Sequence, residues 1–258
     1  MADDPILRSI FPCNRRGFLA LAAGGAALGA VASAPFAARA QGASAAKPKL
    51  ATIGAGREGG ALGTLFAKAG YPVMFSSLHP ETLKPLVAAA GPTAKAGSVA
   101  QAVAFGEVVL LVVPYTAVES IGQEYGKALA AKPLVIDVSN PIARRDGDAI
   151  VTWVNAQGGA GLATAKLIPG AHLVRAFNAI GAGRLAPNAH RAGAPLGIPI
   201  AGDDPKALAL AERLIKDVGF EPVPIGGLAM GRYLVPGTPL AGEHTPDEIR
   251  TIVATLKP

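Results

Sequence analysis

Three stretches of this 258-residue chain carry residue types at spacings that could do chemistry together. The first is Gly54-x-Gly56-x-x-Gly59, which follows the apolar run Leu50 to Ile53 and opens into a helix-prone segment over 61–69. In a strand–turn–helix context the first glycine allows a tight turn. The second lets main chain approach a pyrophosphate, and the third lets helix and strand pack closely. The helix N-terminus then offers unpaired N–H groups and the positive end of its dipole to an anion. Taken alone, the pattern is also what a tight turn in a chain with 32 glycines produces.

The second stretch, Ser76-Ser77-Leu78-His79, ends the next apolar run, 72–76. This is where a dinucleotide fold reads the adenosine ribose, and an NAD-binding version uses Asp or Glu there. No carboxylate occurs before Glu81. Two hydroxyls and an imidazole can donate to a 2′-phosphate that a carboxylate would repel, so the stretch favours NADP over NAD. The competing reading is that residues 77–80 open and cap the next helix, with His79 a capping or surface residue. The third stretch is Asn178, which closes the apolar run 171–177. Asp137, at the end of another such run, reads as an acceptor that fixes the following loop.

The elements that must position these residues alternate. Strands are expected over 50–53, 72–76, 93–96, 107–113, 134–138, 171–177, 194–201 and 220–224. Helices are expected over 61–69, 81–90, 98–105, from Pro114 onward, over 153–168 with an interruption at Gly158-Gly159, and over 205–218. A last helix is opened by Thr245 as N-cap with Pro246 behind it. The run Val108-Val109-Leu110-Leu111-Val112-Val113 is apolar throughout, as a strand covered on both faces requires. The fold class is therefore α/β: a Rossmann-type, doubly wound, mainly parallel sheet with a short C-terminal α/β extension from about residue 179. The turns at Gly54 and Pro114 flank its switch point, where ligands bind.

Residues 1–40 read as a cleavable twin-arginine signal peptide. They contain Asn14-Arg15-Arg16-Gly17-Phe18-Leu19-Ala20, a mildly apolar stretch over 18–31, and Ala38-Arg39-Ala40 before Gln41. A membrane anchor and a packed core helix are the other readings of that stretch. Residues 41–48 read as a flexible linker, and 49–258 as the nucleotide-binding domain. Export in the folded state by the twin-arginine machinery places the protein in the periplasm; an unused signal leaves it in the cytoplasm. The net charge of +6 is scattered, and aromatics make up 5% of the chain. No basic-aromatic interleaving marks a nucleic-acid face. The one cysteine, Cys13, excludes a disulfide framework or a multi-cysteine metal site.

From Lys49 to about Tyr233 the chain resembles one family. The residues concerned are Gly54-Ala55-Gly56-Arg57-Glu58-Gly59, Val73-Met74-Phe75-Ser76-Ser77-x-His79-Pro80-Glu81, and Val112-Val113-Pro114-Tyr115. They continue with Val174-Arg175-Ala176-Phe177-Asn178, Ile200-Ala201-Gly202-Asp203-Asp204 and the 219–223 tract. The family is the NADP-dependent oxidoreductases of coenzyme F420, an 8-hydroxy-5-deazaflavin. Its domain also forms the cytosolic reductase part of six-transmembrane metalloreductases. The resemblance implies that Gly54, Ala55, Gly56, Arg57, Glu58 and Gly59 bind the pyrophosphate. Ser76, Ser77 and His79 would surround the 2′-phosphate. Val113, Pro114 and Tyr115 would border the ribose and nicotinamide, and Ala176, Phe177 and Asn178 would lie beside the nicotinamide and its hydride acceptor. One departure is Leu78, where the family usually carries arginine; losing a guanidinium weakens the NADP preference, and Arg57 could substitute.

Related hydroxyacid dehydrogenases and pyrroline carboxylate reductases add a long all-α domain that the tract after Asn178 does not resemble. Hydride transfer between two bound rings rests on positioning, so no dedicated catalytic residue and no metal are expected. The leading function is an NADPH-dependent oxidoreductase that passes hydride or electrons to a deazaflavin, flavin or metal-chelate acceptor. The alternative is a non-catalytic, exported NADP-binding or redox-sensing protein. A homodimer is a further expectation, with Leu228-Ala229-Met230 as a contact surface.

Overall fold

The computed structural model describes residues 46–257. Residues 1–40, expected to be a signal peptide and including Cys13, and residues 41–45 of the expected linker lie outside the described residues. Of the remaining linker, Lys47 is fixed against the domain: its ammonium lies 4.6 Å over the Tyr71 ring and donates to the Ala69 carbonyl.

The chain runs β1 (Leu50–Ile53), α1 (Arg57–Lys68), β2 (Val73–Ser76), α2 (Lys84–Ala90), β3 (Ala94–Gly97), α3 (Val99–Phe105), β4 (Val108–Leu111), α4 (Val118–Ala130) and β5 (Leu134–Asp137). It continues α5 (Ala143–Asp146), α6 (Asp148–Ala156), α7 (Ala160–Leu167), β6 (Leu173–Arg175), α8 (Ala182–Asn188), β7 (Gly197–Gly202), α9 (Pro205–Asp217), β8 (Glu221–Gly226) and α10 (Pro246–Val253). Eight strands form one sheet in the order β3-β2-β1-β4-β5-β6-β7-β8. Strands β1 to β6 pair in parallel; β7 runs antiparallel to β6, and β8 runs parallel to β7. The mainly parallel, doubly wound sheet is the expected one.

Alternation along the strands divides the interior into two layers. Leu50, Val73, Phe75, Val108 and Leu110 pack with Leu62 and Phe66 of α1 and with α9. Ala51, Ile53, Val109, Leu111 and Val135 face the other way, against α3, α4 and α7. All four residues of β4 are sealed from solvent. Each such aliphatic side chain contributes about 1.5–3 kcal/mol by leaving water. A third cluster joins β7 and β8 to α10 through Val223, Ile225 and Ile249. Leu228 and Met230 are both buried within the chain, Leu228 in the second layer and Met230 in the third cluster. Both stabilise the chain's own core.

Three differences from the sequence expectation bear on the site. Helix α1 begins at Arg57, four residues early, inside the glycine motif. Glycine disfavours helix by about 1 kcal/mol, but here close packing prevails: a Cβ on Gly59 would lie 1.9 Å from the Gly54 carbonyl oxygen. Strand β4 ends at Leu111, so Val112 and Val113 leave the sheet. Strand β6 ends at Arg175, and Phe177 takes a left-handed φ of 65°. The Gly158-Gly159 break separates α6 from α7 as anticipated. Thr245 caps α10 in a reciprocal pair with Glu248, in which Thr245 N–H donates to Glu248 Oε2 at 2.7 Å.

No helix among the described residues is long and apolar enough to cross a membrane.

Candidate functional site

The order in which strands are added to the sheet reverses between β1 and β4, which run parallel and have β2 and β5 as their outer neighbours. A cleft of about 770 Å³ opens at the carboxyl ends of these strands. Its walls come from the turn into α1 (Gly56, Arg57, Glu58, Gly59), the loop after β4 (Val112, Val113, Pro114), the loop after β5 and the segment after β6 from Phe177 to Ala182. An outer wall, unforeseen from the sequence, is added by Pro236, Gly237, Ala241 and Gly242.

The glycine turn fits a pyrophosphate. Gly54 has φ of +95°, and a Cβ there would lie 2.2 Å from the Val112 carbonyl oxygen. Gly56 has nothing within 4 Å of where a Cβ would be, so its main chain is open to the cleft. No side chain caps the N-terminus of α1, whose first-turn N–H groups remain available to an anion. Ala55 borders a neighbouring groove with Arg57 and Lys68.

The expected 2′-phosphate group is only partly available. Ser76 is fully buried, and its hydroxyl donates to the Thr52 carbonyl at 2.6 Å. Ser77 accepts from the His79 N–H at 3.1 Å, which leaves its own hydroxyl proton to donate. His79 is exposed, with Glu81 3.5 Å from Nδ1. Leu78, 88% exposed, stands between them. Of the residues named from sequence, Ser77, His79 and the exposed Arg57 are the ones free to meet a phosphate.

Tyr115 and Ala176 also turn away from the cleft. Tyr115 is buried, with its hydroxyl 3.1 Å from Thr164 Oγ1 and 3.2 Å from the Ala160 carbonyl. Burial, followed by the Asp137 charge, pushes its phenol up to about 12, which keeps it neutral. Ala176 lies in the first core layer. Val113, Pro114 and Asn178 do line the cleft.

Asn178 is held by a network that the sequence did not reveal. Arg175 Nη1 donates to Asp137 Oδ2 at 2.6 Å and to the Ser139 carbonyl at 3.0 Å; Nη2 donates to Asn140 Oδ1 at 3.0 Å. Asn140 Nδ2 donates to the Asn178 carbonyl at 2.8 Å, and Asn178 Nδ2 donates to the Asp137 carbonyl at 3.0 Å. Asp137 Oδ1 also accepts from the Ser139 N–H, so its expected loop-fixing role is present within a larger circuit. Gly161 and Gly231 make room for the Arg175 stem. The available signals were an aspartate closing a β-branched strand and an arginine inside an apolar run. Asn178 Oδ1 is buried and without a partner among the described residues.

Two further charged groups line the cleft. Arg145 Nη2 donates to the Asn140 carbonyl at 2.6 Å and pairs with Asp146 at 2.8 Å. Burial pushes the Asp146 carboxyl up, but Arg145 and the Ile142 N–H more than offset this and hold it below its usual value. Glu58 is half-buried, and its Oε1 has no partner. Burial pushes its carboxyl up to about 7, against the smaller opposing effects of the Ala182 N–H and the Arg57 charge.

Fold and cleft together define a dinucleotide-binding protein of the Rossmann class. Residues 49–141 match the family described as NADP oxidoreductase, coenzyme F420-dependent, which bears out the resemblance over those residues. A hypothetical protein from Sinorhizobium meliloti is 25% identical, with a TM-score of 0.63 over 77% of this chain and 95% of that one. A candidate F420-dependent NADP-reductase from Arthrobacter sp. FB24 is 20% identical, with a TM-score of 0.59 over 72% of this chain and 87% of that one. An imine reductase from Myxococcus stipitatus, solved with NADP+, shares the fold at 16% identity and a TM-score of 0.51, over 70% of this chain and 56% of that one. No curated protein matches the chain.

Proposed function

We propose that the protein is an NADPH-dependent oxidoreductase whose acceptor is a deazaflavin, a flavin-like ring or a metal chelate. The observation that carries the reading is that the Gly56–Gly59 part of the turn and Asn178, whose Oδ1 has no partner among the described residues, line one cleft at the switch point of the sheet. The family match over 49–141 supports it.

NADPH would supply the hydride. Gly56 and the first N–H groups of α1 hold its pyrophosphate, and Arg57, Ser77 and His79 meet the 2′-phosphate. Val113 and Pro114 border the ribose. Asn178 Oδ1 accepts from the carboxamide of the nicotinamide, and the Arg175–Asn140 circuit keeps that oxygen aimed. Burying a fixed acceptor opposite a fixed phosphate cradle sets the ring's position without using a reacting side chain.

Calorimetry and the quenching of NADPH fluorescence test the reading; absence of NADPH binding would overturn it. Oxidation of bound NADPH by a deazaflavin, by FMN and by a ferric chelate then separates the acceptors. The twin-arginine pattern at Asn14–Ala20 favours a second reading, an exported NADP-binding or redox-sensing protein. It predicts tight NADP binding with no oxidation by any of the three. Mass spectrometry of the periplasmic fraction tests export: a chain starting near Gln41 supports it, and an intact N-terminus there rejects cleavage.

A further inference from the structure

We propose that Glu58 is the proton donor of this site and serves an acceptor that receives hydride at a C=O or C=N bond. The inference rests on the NADPH reading alone, takes a carbonyl or imine in place of the ring or chelate acceptor, and adds a residue that touches the substrate.

Glu58 occupies the second position of α1 and lines the cleft with Val113, Phe177 and Asn178. Its carboxyl is turned toward the N–H of Ala182, on the segment that follows Asn178. It shares the cleft with Asn178, whereas Ser77 and His79 are not among the residues that line it. Oε1 is sealed from solvent and has no partner among the described residues. An ionised carboxylate there would oppose any anion at the α1 N-terminus. The protonated form is neutral and presents an O–H. Burial favours that form, bringing the carboxyl to about 7, where a general acid works best at neutral pH.

The surroundings leave Glu58 alone in this role. Arg57 lies beside it on α1, and Arg145 reaches the cleft from the loop after β5. On α8, Arg184 is tied to Glu243. No other carboxylate and no imidazole lines the cleft among the described residues. The acceptor's C=O or C=N carbon gains the hydride with its two electrons. The π pair moves onto the oxygen or nitrogen, and that atom takes the Glu58 proton. The nicotinamide is left oxidised and Glu58 ionised; water returns the proton.

The experiment compares wild type and Glu58→Gln, which keeps the shape but has no acidic proton. NADPH binding is measured first, then single-turnover oxidation by two probes, benzaldehyde and a cyclic imine, across pH. The expected result is wild-type oxidation of at least one probe, falling about tenfold per pH unit above pH 7. The variant is expected to be slower by about a hundredfold with a flat profile, while its NADPH Kd stays within about threefold. Infrared difference spectra of wild type minus variant, each with NADP+ at pH 7, should show the carbonyl band of a protonated carboxyl. Bound NADPH with neither probe reduced overturns the inference and leaves the NADPH reading standing; no NADPH binding removes both. A variant that turns over at the wild-type rate, or weakens only NADPH binding, or a missing carboxyl band also overturns it. Should the variant fail to fold, the wild-type pH profile decides, since a profile flat through pH 7 excludes the donor.

Discussion

Arg175 and Asp137 hold each other inside the protein: Nη1 lies 2.6 Å from Oδ2, and both side chains are cut off from water. The pair joins the ends of β5 and β6 and fixes the loop that presents Asn178. Its formation sacrifices the hydration of both ions, so its worth lies in position more than in net stability.

Asp137→Asn leaves the Arg175 charge buried without its counter-ion. We expect a loss of about 3–5 kcal/mol in urea unfolding, together with weaker NADPH binding as Asn178 loosens. Unchanged unfolding would show that the charge finds another partner.

The glycines of the turn act through different physics, and alanine separates them. Gly54→Ala forces a side chain into a φ of +95° and against the Val112 carbonyl. It should lower stability by about 1–3 kcal/mol as well as binding. Gly56 sits at φ −70° with empty space around it. Gly56→Ala should hold stability within about 0.5 kcal/mol yet lower NADPH affinity about tenfold, or ~1.4 kcal/mol. Thermal unfolding and calorimetry on the two variants check this.

Leu78 is 88% exposed and contributes nothing to the core. Leu78→Arg should leave stability within about 0.5 kcal/mol. A charge-assisted bond to the 2′-phosphate is worth ~1.5–3 kcal/mol, so NADPH affinity should rise about tenfold or more while NADH affinity stays level. The gain should shrink with added salt. Equal gains for both nucleotides would remove the 2′-phosphate from this loop.

Glu58 predicts an unusual pH dependence of stability. Its folded value, about 7, lies above the ordinary 4.5. Folding therefore takes up a proton between the two, and stability falls as pH rises through that window. Glu58→Gln abolishes the effect. The variant should be more stable than wild type at pH 8 by of order 1 kcal/mol, the full linkage being discounted for the solvent contact that remains. The two should coincide below pH 4. Denaturant titrations at both pH values measure it.

Much of the sheet was legible because its strands are buried on both faces, and uninterrupted runs such as Val108 to Leu111 have no other stable place. The glycine motif was legible because its three positions answer to three steric demands. The side-chain directions at the site were not. Ser76 and Tyr115 look available in a string of letters, but each lies where alternation or the following turn sends its side chain inward, to Thr52 and to Thr164. Arg175 carried no periodic signal, since a charge in an apolar run becomes intelligible only when its partner, 38 residues away, is in place. Helix α8 and the outer wall near Gly242 were missed because short, glycine-rich segments owe their shape to what they pack against.

That outer wall also decides what completes the cleft. Gly56 and Gly242 face one cleft but stand far apart along the chain. The reversal of direction at β7 is what brings the later segment back to the glycine turn. The cleft is therefore whole only when β7 and β8 have joined the sheet, so loosening that outer edge would open the site while leaving the glycine turn intact.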